Sequence, residues 1–395
     1  MLGRWMVARA FAHLTDGRLT VIDEKRRLSF GSSTPALAAT LTVRDPGAWW
    51  RVATGGTIGA AETYAAGAWQ VDDLTAAVRL FARNRDALSR MDGALARLAQ
   101  PVRQLQHVVR RNTRRGSRRN IAAHYDLGND FFARVLDPTM QYSCARFATP
   151  DSSLHDASVR KIDGLCRALA LQPGDRLLDI GGGWGGLAIH AARAYGARVV
   201  MTTISRAQHA WAAGRIHEAG LSSQIDVIDA DYRDLRSLGR TFDHVVSVEM
   251  IEAVGLPYIE HYFNVCRDLL KPGGRLAIQA IVIADSLFET YRRSVDFIQH
   301  AVFPGGFLPS LDLLNRSVAQ TDGLALADVE DVTEHYPLTL RAWRTNLQRH
   351  WDDLRAHGYP ESMLRMWEFY LCYSEGGFAE RTIGTTQLLI ERVPC

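Results

Sequence analysis

The 395-residue chain lacks several features that would place it in a special class of protein. No apolar stretch reaches the roughly 18 residues that a transmembrane helix needs. Residues 1–14 lack a clear signal-peptide core and cleavage site. The five cysteines are scattered and none forms Cys-x-x-Cys, which argues against a disulfide framework or a zinc site. We therefore expect a cytoplasmic protein without a metal site, either soluble or lying on a membrane surface.

The chain also lacks a large net charge, which is only +3, so the whole sequence carries no nucleic-acid signature. Positive charge is nevertheless concentrated in residues 101–120, which contain seven arginines and no acidic residue. Such a run is usually a solvated helix face or linker, although it can also bind anionic lipid or RNA. We predict an N-terminal α+β domain over residues 1–100, this basic linker over 101–120, and a catalytic domain over 121–395.

In the catalytic domain, apolar runs of strand length alternate with amphipathic helical stretches. Strands are predicted at 176–180, 198–203, 225–228, 243–248 and 274–281, and helices begin near Leu187, Arg206, Asp234 and Tyr258. A mostly helical insertion follows over 285–320, with closing strands near 326–333 and 386–393. The alternation predicts an α/β fold, a Rossmann-like parallel sheet with helices on both faces. Ligands of such sheets bind at the carboxyl ends of the strands.

Residues 176–186 run from the first of these strands through a glycine-rich turn to the start of a helix. Glycines let the backbone approach a ligand closely, and a helix N-terminus offers it free N–H groups. Gly181, Gly183 and Gly186 fit the dinucleotide pattern G-x-G-x-x-G, which expects an acidic residue about 20 positions further on. No Asp or Glu occurs between Asp179 and Glu218, and Asp179 instead precedes the glycines. This arrangement favours S-adenosylmethionine over NAD as the ligand.

Six segments, one of them part of this glycine-rich stretch, follow one another along the predicted ligand-binding edge. They are His124-Tyr125-Asp126-Leu127-Gly128-Asn129-Asp130-Phe131-Phe132, Tyr142-Ser143-Cys144, Leu178-Asp179-Ile180-Gly181, Thr203-Ile204-Ser205 with Gln208, Asp231-Tyr232-Arg233-Asp234, and Phe303-Pro304-Gly305-Gly306. Together they resemble the cyclopropane-fatty-acyl-phospholipid synthase family, which includes mycolic acid cyclopropane synthases and related lipid C-methyltransferases. The resemblance is strong over about residues 120–395 and weaker over the first 100.

The resemblance implies a set of residues that bind S-adenosylmethionine. Tyr142 and Ser143 match positions flanking the cofactor. The positions of the glycine loop correspond to Asp179, Gly181, Gly183 and Gly185. The segment near the ribose corresponds to Thr203, Ser205 and Gln208, and the segment near the adenine to Asp231 and Tyr232. The residues suit these roles, since Gln both donates and accepts hydrogen bonds and Tyr offers a stacking face. Gln208 as a helix-surface residue and Asp231 as a helix cap remain the alternative interpretations.

The resemblance also implies a bound bicarbonate ion that acts as a base. In the family it is held by a Cys, a Glu, a His, an Ile backbone and a Tyr, and these positions correspond to Cys144, Glu252, Gln279, Ile281 and Tyr336. Gln279 thus stands where the family has His, and a neutral amide can bind an anion but carries neither a proton nor a charge. Bicarbonate binding and the fate of the proton both depend on this difference.

The function implied is transfer of a methylene group from S-adenosylmethionine to the double bond of unsaturated phospholipid acyl chains, forming cyclopropane fatty acids. The alternative within the same family is C-methylation of the acyl chain without ring closure. Two alternatives from other classes are a small-molecule or RNA methyltransferase and a catalytically silent lipid-binding protein. We expect peripheral association with an anionic membrane surface at the inner face of the cell membrane, through Arg110, Arg111, Arg114, Arg115, Arg118 and Arg119. We expect no nucleic-acid partner. The sequence does not determine the oligomeric state, and a homodimer is one option.

Overall fold

The structure is a computed structural model that describes residues 2–24, 26–86, 116 and 127–393. The chain divides into two compact units, and neither is one continuous stretch of sequence. The first unit gathers residues 2–86 with Glu289–Val302 and Leu340–Thr382, and the second gathers 127–288, Phe303–Thr339 and 383–393. Two segments of the predicted catalytic domain thus group with the N-terminal residues. The predicted boundaries at residues 100 and 120 lie outside the described residues and stay predictions.

The N-terminal part of the first unit contains a four-stranded sheet in the order β2-β1-β3-β4. Its elements are α1 (Leu2–Phe11), β1 (Arg18–Asp23), β2 (Arg26–Gly31), β3 (Ala38–Val43), α2 (Gly47–Ala65), β4 (Trp69–Val71) and α3 (Leu74–Arg83). Strand alternation places Leu19 and Val21 in the core, where neither is exposed. Asp73 caps α3, since its side chain accepts a hydrogen bond from the Ala76 N–H at 2.8 Å.

The second unit contains a seven-stranded sheet in the order β10-β11-β9-β8-β5-β6-β7. Its strands are β5 (Arg176–Ile180), β6 (Arg198–Thr203), β7 (Ile225–Asp229), β8 (Phe242–Val248), β9 (Leu270–Ile283), β10 (Leu324–Asp331) and β11 (Ile383–Arg392). Strands β5 to β9 are parallel, and β11 runs antiparallel to β9 and β10. The predicted α/β class is confirmed. The carboxyl ends of five parallel strands therefore share one edge.

Helices cover both faces of this sheet. They are α4 (Asn129–Val135), α5 (Leu154–Ala168), α6 (Gly186–Tyr195), α7 (Arg206–Glu218), α8 (Ile259–Leu269), α9 (Asp285–Tyr291) and α10 (Leu311–Ala319). Neighbouring residues of β5 belong to different cores: Leu177 packs with α5, α6 and α7, whereas Leu178 packs with α8 and α10. Among the described residues, no helix combines the length and the apolar character needed to cross a bilayer.

The helix predicted to begin near Asp234 is present as a 3-10 helix, Tyr232–Leu238. The strand predicted at 274–281 is longer than predicted, since β9 begins at Leu270 and includes the Lys271-Pro-Gly-Gly segment. The register between β8 and β9 shifts between Phe242 and His244, so the segment continues the strand at the cost of a local irregularity.

The remaining helices lie between β10 and β11 in the sequence. They are α11 (His335–Arg349), α12 (Trp351–Ala356) and α13 (Glu361–Ala379). Within the first unit, α13 packs against α2 and α3. One contact of this packing is the Tyr64 hydroxyl, which donates to the Glu368 carboxylate at 2.6 Å.

Candidate active site

The glycine loop connects β5 to α6 at the carboxyl edge of the seven-stranded sheet. Gly181, Gly183 and Gly185 have φ angles of 79°, 58° and 85°, a region that L-residues with side chains rarely adopt. A Cβ added to Gly181 would lie 2.7 Å from Cγ of Met250. The loop therefore needs glycine for its backbone path, and it lies directly against the residues that follow β8.

Asp179 is the last but one residue of β5 and is 2% exposed. Its Oδ2 atom finds no hydrogen-bond partner within the described part of the chain. Burial raises the pKa of Asp179 to about 7. A buried acceptor without a donor, next to a glycine loop and a helix N-terminus, fits a ligand that carries hydrogen-bond donors and positive charge. The ammonium and sulfonium groups of S-adenosylmethionine meet that description.

Tyr142 and Ser143 lie on the segment between α4 and α5. Aromatic rings surround Tyr142: Phe303 stacks on it at 6.2 Å between centroids, and Phe132 meets it edge-on at 5.4 Å. The Trp184 ring of the glycine loop packs on Phe132 at 5.0 Å, and its indole N–H donates to Asn129 at 2.8 Å. The segments that begin at Asn129 and Tyr142 are thus joined to the glycine loop by aromatic contacts.

The three residues predicted near the ribose form one hydrogen-bonded group after β6. The Thr203 hydroxyl donates to Gln208 Oε1 at 2.9 Å, and Ser205 caps α7. Gln208 is 4% exposed, so its interpretation as a helix-surface residue was wrong. A Cβ on Gly183 would lie 4.0 Å from Gln208 Nε2, which brings this amide to the glycine loop. The ribose role stays a prediction with suitable geometry.

Asp231 and Tyr232, predicted near the adenine, follow β7. The Asp231 carboxylate accepts hydrogen bonds from both Nε and Nη2 of Arg233, at 2.7 and 2.5 Å, and it caps the 3-10 helix. Tyr232 is 8% exposed and packs edge-on against Tyr262 at 5.4 Å. Burial raises the pKa of Tyr232 to about 12. The helix-cap interpretation of Asp231 is confirmed, while the adenine contacts stay predictions.

The residues predicted to hold bicarbonate converge on a side chain that the sequence did not single out, that of Glu249. Its Oε1 atom accepts hydrogen bonds from the Cys144 N–H and from Gln279 Nε2, both at 2.8 Å. Its Oε2 atom accepts from the Tyr336 hydroxyl at 2.6 Å. Glu249 directly follows β8 and has a φ angle of 48°, which is uncommon for a residue with a side chain.

Cys144 and Gln279 contribute to this group in different ways. The Cys144 thiol donates to the Ala145 carbonyl at 3.3 Å, and it is the backbone N–H of Cys144 that donates to Glu249. Burial raises the pKa of the Cys144 thiol well above its usual value, which makes it a poor nucleophile. The Gln279 amide is fully buried; it also donates to the Cys144 carbonyl at 3.1 Å and accepts from Gln387 at 2.8 Å. Gln279 is therefore held in place by protein groups alone.

Glu252 lies three residues beyond Glu249. Its Oε1 atom accepts a hydrogen bond from the Ile281 N–H at 2.5 Å, whereas its Oε2 atom is buried without a partner within the described residues. Burial raises the pKa of Glu252 to about 8, and the nearby Glu249 carboxylate adds to the increase. The predicted residues Cys144, Gln279 and Tyr336 thus gather around Glu249, and the predicted pair Glu252 and Ile281 lies beside them.

Lys161 is a second residue that the sequence did not single out. It is 1% exposed on α5, and its ammonium donates to Gln141 at 2.5 Å and to Ser143 at 2.9 Å. Burial lowers the pKa of Lys161 to about 8, against the opposing influence of Glu249 and other acidic groups. A lysine in an amphipathic helix is normally solvated, so the sequence held no signal for this position. Lys161 places a buried amine between the predicted cofactor segment and the carboxylates.

Other predicted elements are only partly described. His124, Tyr125, Asp126 and the six arginines between Arg110 and Arg119 lie outside the described residues. In the 285–320 insertion, Phe288 and Phe307 pack edge-on at 6.0 Å within the second unit. Phe297 packs on Phe369 at 5.1 Å within the first unit.

The parallel sheet, the glycine loop and the acidic residue before it define a class I S-adenosylmethionine-dependent methyltransferase. Solved structures have the same fold. One is the mycolic acid cyclopropane synthase CmaA1 complexed with SAH and CTAB, with a TM-score of 0.65 and 29% identity, covering 69% of this chain and 98% of that one. Its bound SAH supports S-adenosylmethionine as the cofactor here.

Within this class, the chain belongs to the mycolic acid cyclopropane synthetase family, whose family model matches residues 112–388. It is 40% identical to the tuberculostearic acid methyltransferase UfaA1 of Mycobacterium tuberculosis, over 83% of this chain and 77% of the relative. It is 34% identical to the cyclopropane-fatty-acyl-phospholipid synthase of Escherichia coli K12, over 90% and 88%. The protein is therefore an S-adenosylmethionine-dependent methyltransferase of a lipid-modifying family.

Proposed function

We propose that this enzyme transfers a methyl group from S-adenosylmethionine to the double bond of an unsaturated fatty acyl chain in a membrane phospholipid. The observation that carries the proposal is that the glycine loop and the acidic segment after β8 lie against each other at the carboxyl edge of the sheet. The glycine loop lies against Met250, which stands between Glu249 and Glu252 in the sequence. Methyl transfer to an alkene needs both an electrophilic methyl donor and a nearby proton acceptor.

The cofactor supplies an electrophilic methyl group. We propose that it is held by Tyr142 and Ser143, by Asp179 with the glycines of its loop, by Thr203, Ser205 and Gln208, and by Asp231 and Tyr232. Addition of a methyl group to an alkene leaves a carbocation that water would quench, so the site must be dry. We propose that the packed rings of Phe132, Tyr142 and Phe303 supply this environment, since aromatic faces tolerate positive charge.

The product depends on which carbon loses its proton. Loss from the added methyl with ring closure gives a cyclopropane, and loss without ring closure gives a methylated alkene. Two observations favour the methylated alkene as a second candidate product. Gln279 replaces the family's His and is bonded to Cys144, Glu249 and Gln387. A relative at 40% identity is named a methyltransferase, whereas the one named a cyclopropane synthase is 34% identical.

The test is an assay of purified protein with S-adenosylmethionine and vesicles of a defined cis-monounsaturated phospholipid. We expect S-adenosylhomocysteine to form and the lipid to gain the mass of one CH2 group. Vesicles of the matching saturated phospholipid should give neither signal. Mild catalytic hydrogenation then distinguishes the products, because the methylated alkene takes up two hydrogen atoms and the cyclopropane does not. Absence of S-adenosylhomocysteine with every olefinic lipid tried would contradict the proposal.

We also propose that the enzyme reaches its substrate by lying on an anionic membrane surface at the inner face of the cell membrane. The arginines of residues 101–120 support this idea, since each basic residue near such a surface contributes about 1 kcal/mol. Replacing Arg114 and Arg115 with Glu should weaken sedimentation with anionic vesicles and leave S-adenosylmethionine affinity unchanged. Unchanged sedimentation would contradict the proposed surface.

A further inference from the structure

Glu249 occupies a site built for an anion. Its carboxylate receives one hydrogen bond each from the Cys144 N–H, Gln279 Nε2 and the Tyr336 hydroxyl, at 2.6–2.8 Å. Cys144, Gln279 and Tyr336 are at most 4% exposed. Three buried donors that meet at one point stabilise a single planar O–C–O group. A carboxylate and a bicarbonate ion present the same group and the same charge, so one excludes the other.

The backbone at Glu249 indicates that this arrangement has a cost. A left-handed φ angle of 48° is unfavourable for a residue with a side chain, because its Cβ comes too close to the following carbonyl oxygen. The conformation turns the side chain back toward the β9 strand, where the Glu249 N–H also donates to the Gln279 carbonyl at 2.7 Å. The fold therefore holds the Glu249 carboxylate among the donors at the expense of local strain, as often occurs at functional sites.

Glu249 is also placed to exchange a proton. Cys144, Gln279 and Tyr336 are fully buried, whereas Glu249 and the following Met250 keep partial exposure. Met250 lies against the glycine loop, so Glu249 is next in the sequence to a residue at the edge of the predicted cofactor site. The second carboxylate, Glu252, lies close enough to affect it electrostatically, and its Oε2 atom has no partner within the described residues.

We propose that the Glu249 carboxylate takes the place of bicarbonate and is the proton acceptor of the reaction, so that the enzyme works without an exogenous anion. The inference rests on the proposed function. After the carbon–carbon bond to the new methyl has formed, one C–H bond of the cation breaks. Its electron pair forms the new double bond or the ring bond, and the proton passes to Glu249. The proton then leaves to solvent, which restores the carboxylate.

The activity test compares wild type, Glu249→Gln and Glu249→Gly in buffer depleted of carbon dioxide and in the same buffer with added bicarbonate. Wild-type turnover should be the same in both. Both variants should lose at least about 100-fold without bicarbonate, the lower range for a positioned general base. Added bicarbonate should partly restore Glu249→Gly, whose vacated site offers the three donors. Glu260→Gln, at an exposed position on α8, is the matched control and should retain wild-type turnover.

A binding experiment provides a readout that does not depend on turnover. The NMR signal of 13C-labelled bicarbonate should be unaffected by wild-type protein and should broaden or shift with Glu249→Gly. Calorimetric affinity for S-adenosylmethionine should be similar in wild type and both variants, which shows that they fold. Glycine also relieves the strained backbone, so Glu249→Gly should unfold at no lower temperature than Glu249→Gln.

Three results would overturn the proposal. One is a wild-type enzyme that requires bicarbonate or binds it. Another is Glu249→Gln turnover within about tenfold of wild type, well short of the loss expected for a base. The third is a loss confined to Glu252→Gln, which would assign the proton to that carboxylate. If wild type itself consumes no S-adenosylmethionine with olefinic lipid, the proposed function fails instead, and the 13C measurement still decides whether Glu249 excludes bicarbonate.

Discussion

Each of the two compact units contains buried carboxylates, and Glu375 in the first unit has different partners from Asp179 and Glu252 in the second. In the first unit, Glu375 is 2% exposed and is surrounded by partners of opposite charge. Arg341 lies 3.0 Å away, Arg344 lies 3.3 Å away, and the Thr75 hydroxyl donates at 3.0 Å. In the second unit, Asp179 and Glu252 each have a buried oxygen without a hydrogen-bond partner among the described residues.

This difference separates a structural carboxylate from a reactive one. A buried charge that is paired and hydrogen-bonded, as Glu375 is, holds the elements that carry its partners in one arrangement. A buried carboxylate without a cation in contact resists ionisation, and burial raises the pKa of Asp179 to about 7 and that of Glu252 to about 8. Groups poised to exchange protons near neutral pH are typical of functional sites. The comparison predicts that equivalent substitutions will affect stability in one unit and ligand binding or proton transfer in the other.

The largest expected effect on stability comes from Glu375→Ala. The substitution leaves Arg344 beside a buried site without its carboxylate, and Arg341 loses the same partner. We expect the free energy of unfolding to fall by about 3 kcal/mol, the lower range for a broken buried pair, because Arg341 keeps contact with water. Chemical denaturation measures the change, and calorimetry should show unchanged affinity for S-adenosylmethionine.

The matched control for this prediction is Glu361→Gln on the same helix, α13. Glu361 pairs with Arg355 at 3.3 Å, but half of its side chain is exposed. An exposed pair contributes about 0–1 kcal/mol, so this substitution should be nearly silent. Equal losses in the two variants would show that burial and pairing of Glu375 have no special role.

Asp179→Asn should have the opposite profile. The amide keeps the shape of the side chain but replaces one acceptor oxygen with a donor and removes the charge. We expect affinity for S-adenosylmethionine to fall by about tenfold, which corresponds to roughly 1.5 kcal/mol for a hydrogen bond to a charged group. Thermal stability at pH 8 should be maintained or increased, because no buried charge has to be desolvated. Asp226→Asn, on an exposed side chain of β7, is the control, and unchanged affinity in Asp179→Asn would contradict the cofactor role.

Much of the second unit could be predicted from sequence because its signals are local. Apolar runs between polar stretches located β5 and β6 at their observed bounds and the other strands within a few residues. The glycine loop was recognisable because its conformation requires glycine at Gly181, Gly183 and Gly185. The discontinuous first unit was not predictable in this way, because no local pattern shows that α13 packs against α2 and α3, about 300 residues away.

The residues of the candidate site also divide into those with a local sequence signal and those recognisable only from long-range contacts. A resemblance of motifs identified Cys144, Gln279 and Tyr336, but not the atom on which they converge. Glu249 was missed because its importance depends on contacts with residues about 30, 87 and 105 positions away. A glutamate with a left-handed backbone has no sequence signature, and neither has a buried helical lysine such as Lys161. Such residues become visible only when tertiary contacts are known.

The smallest expected effect concerns the pH dependence of stability, and it tests the unpaired carboxylate of Glu252. The pKa of Glu252 rises from its ordinary value of 4.5 to about 8 on folding. Between these values the folded protein binds more protons than the unfolded chain, so the free energy of unfolding falls as pH rises through this window. Glu252→Gln removes this contribution. Asp179 and Lys161 titrate in both proteins, so the difference between the two pH profiles reports Glu252 together with its electrostatic coupling to Glu249.

We therefore expect wild type and Glu252→Gln to have similar stability near pH 5, and the variant to be more stable by pH 9. An advantage of about 1 kcal/mol would correspond to a melting temperature roughly 2–4 °C higher for a domain of this size. Differential scanning calorimetry from pH 5 to 9 measures it, with Glu260→Gln as the exposed control. Parallel profiles for wild type and Glu252→Gln would show that Glu252 is as well accommodated as Glu375, and the contrast between the two units would then rest on Asp179 alone.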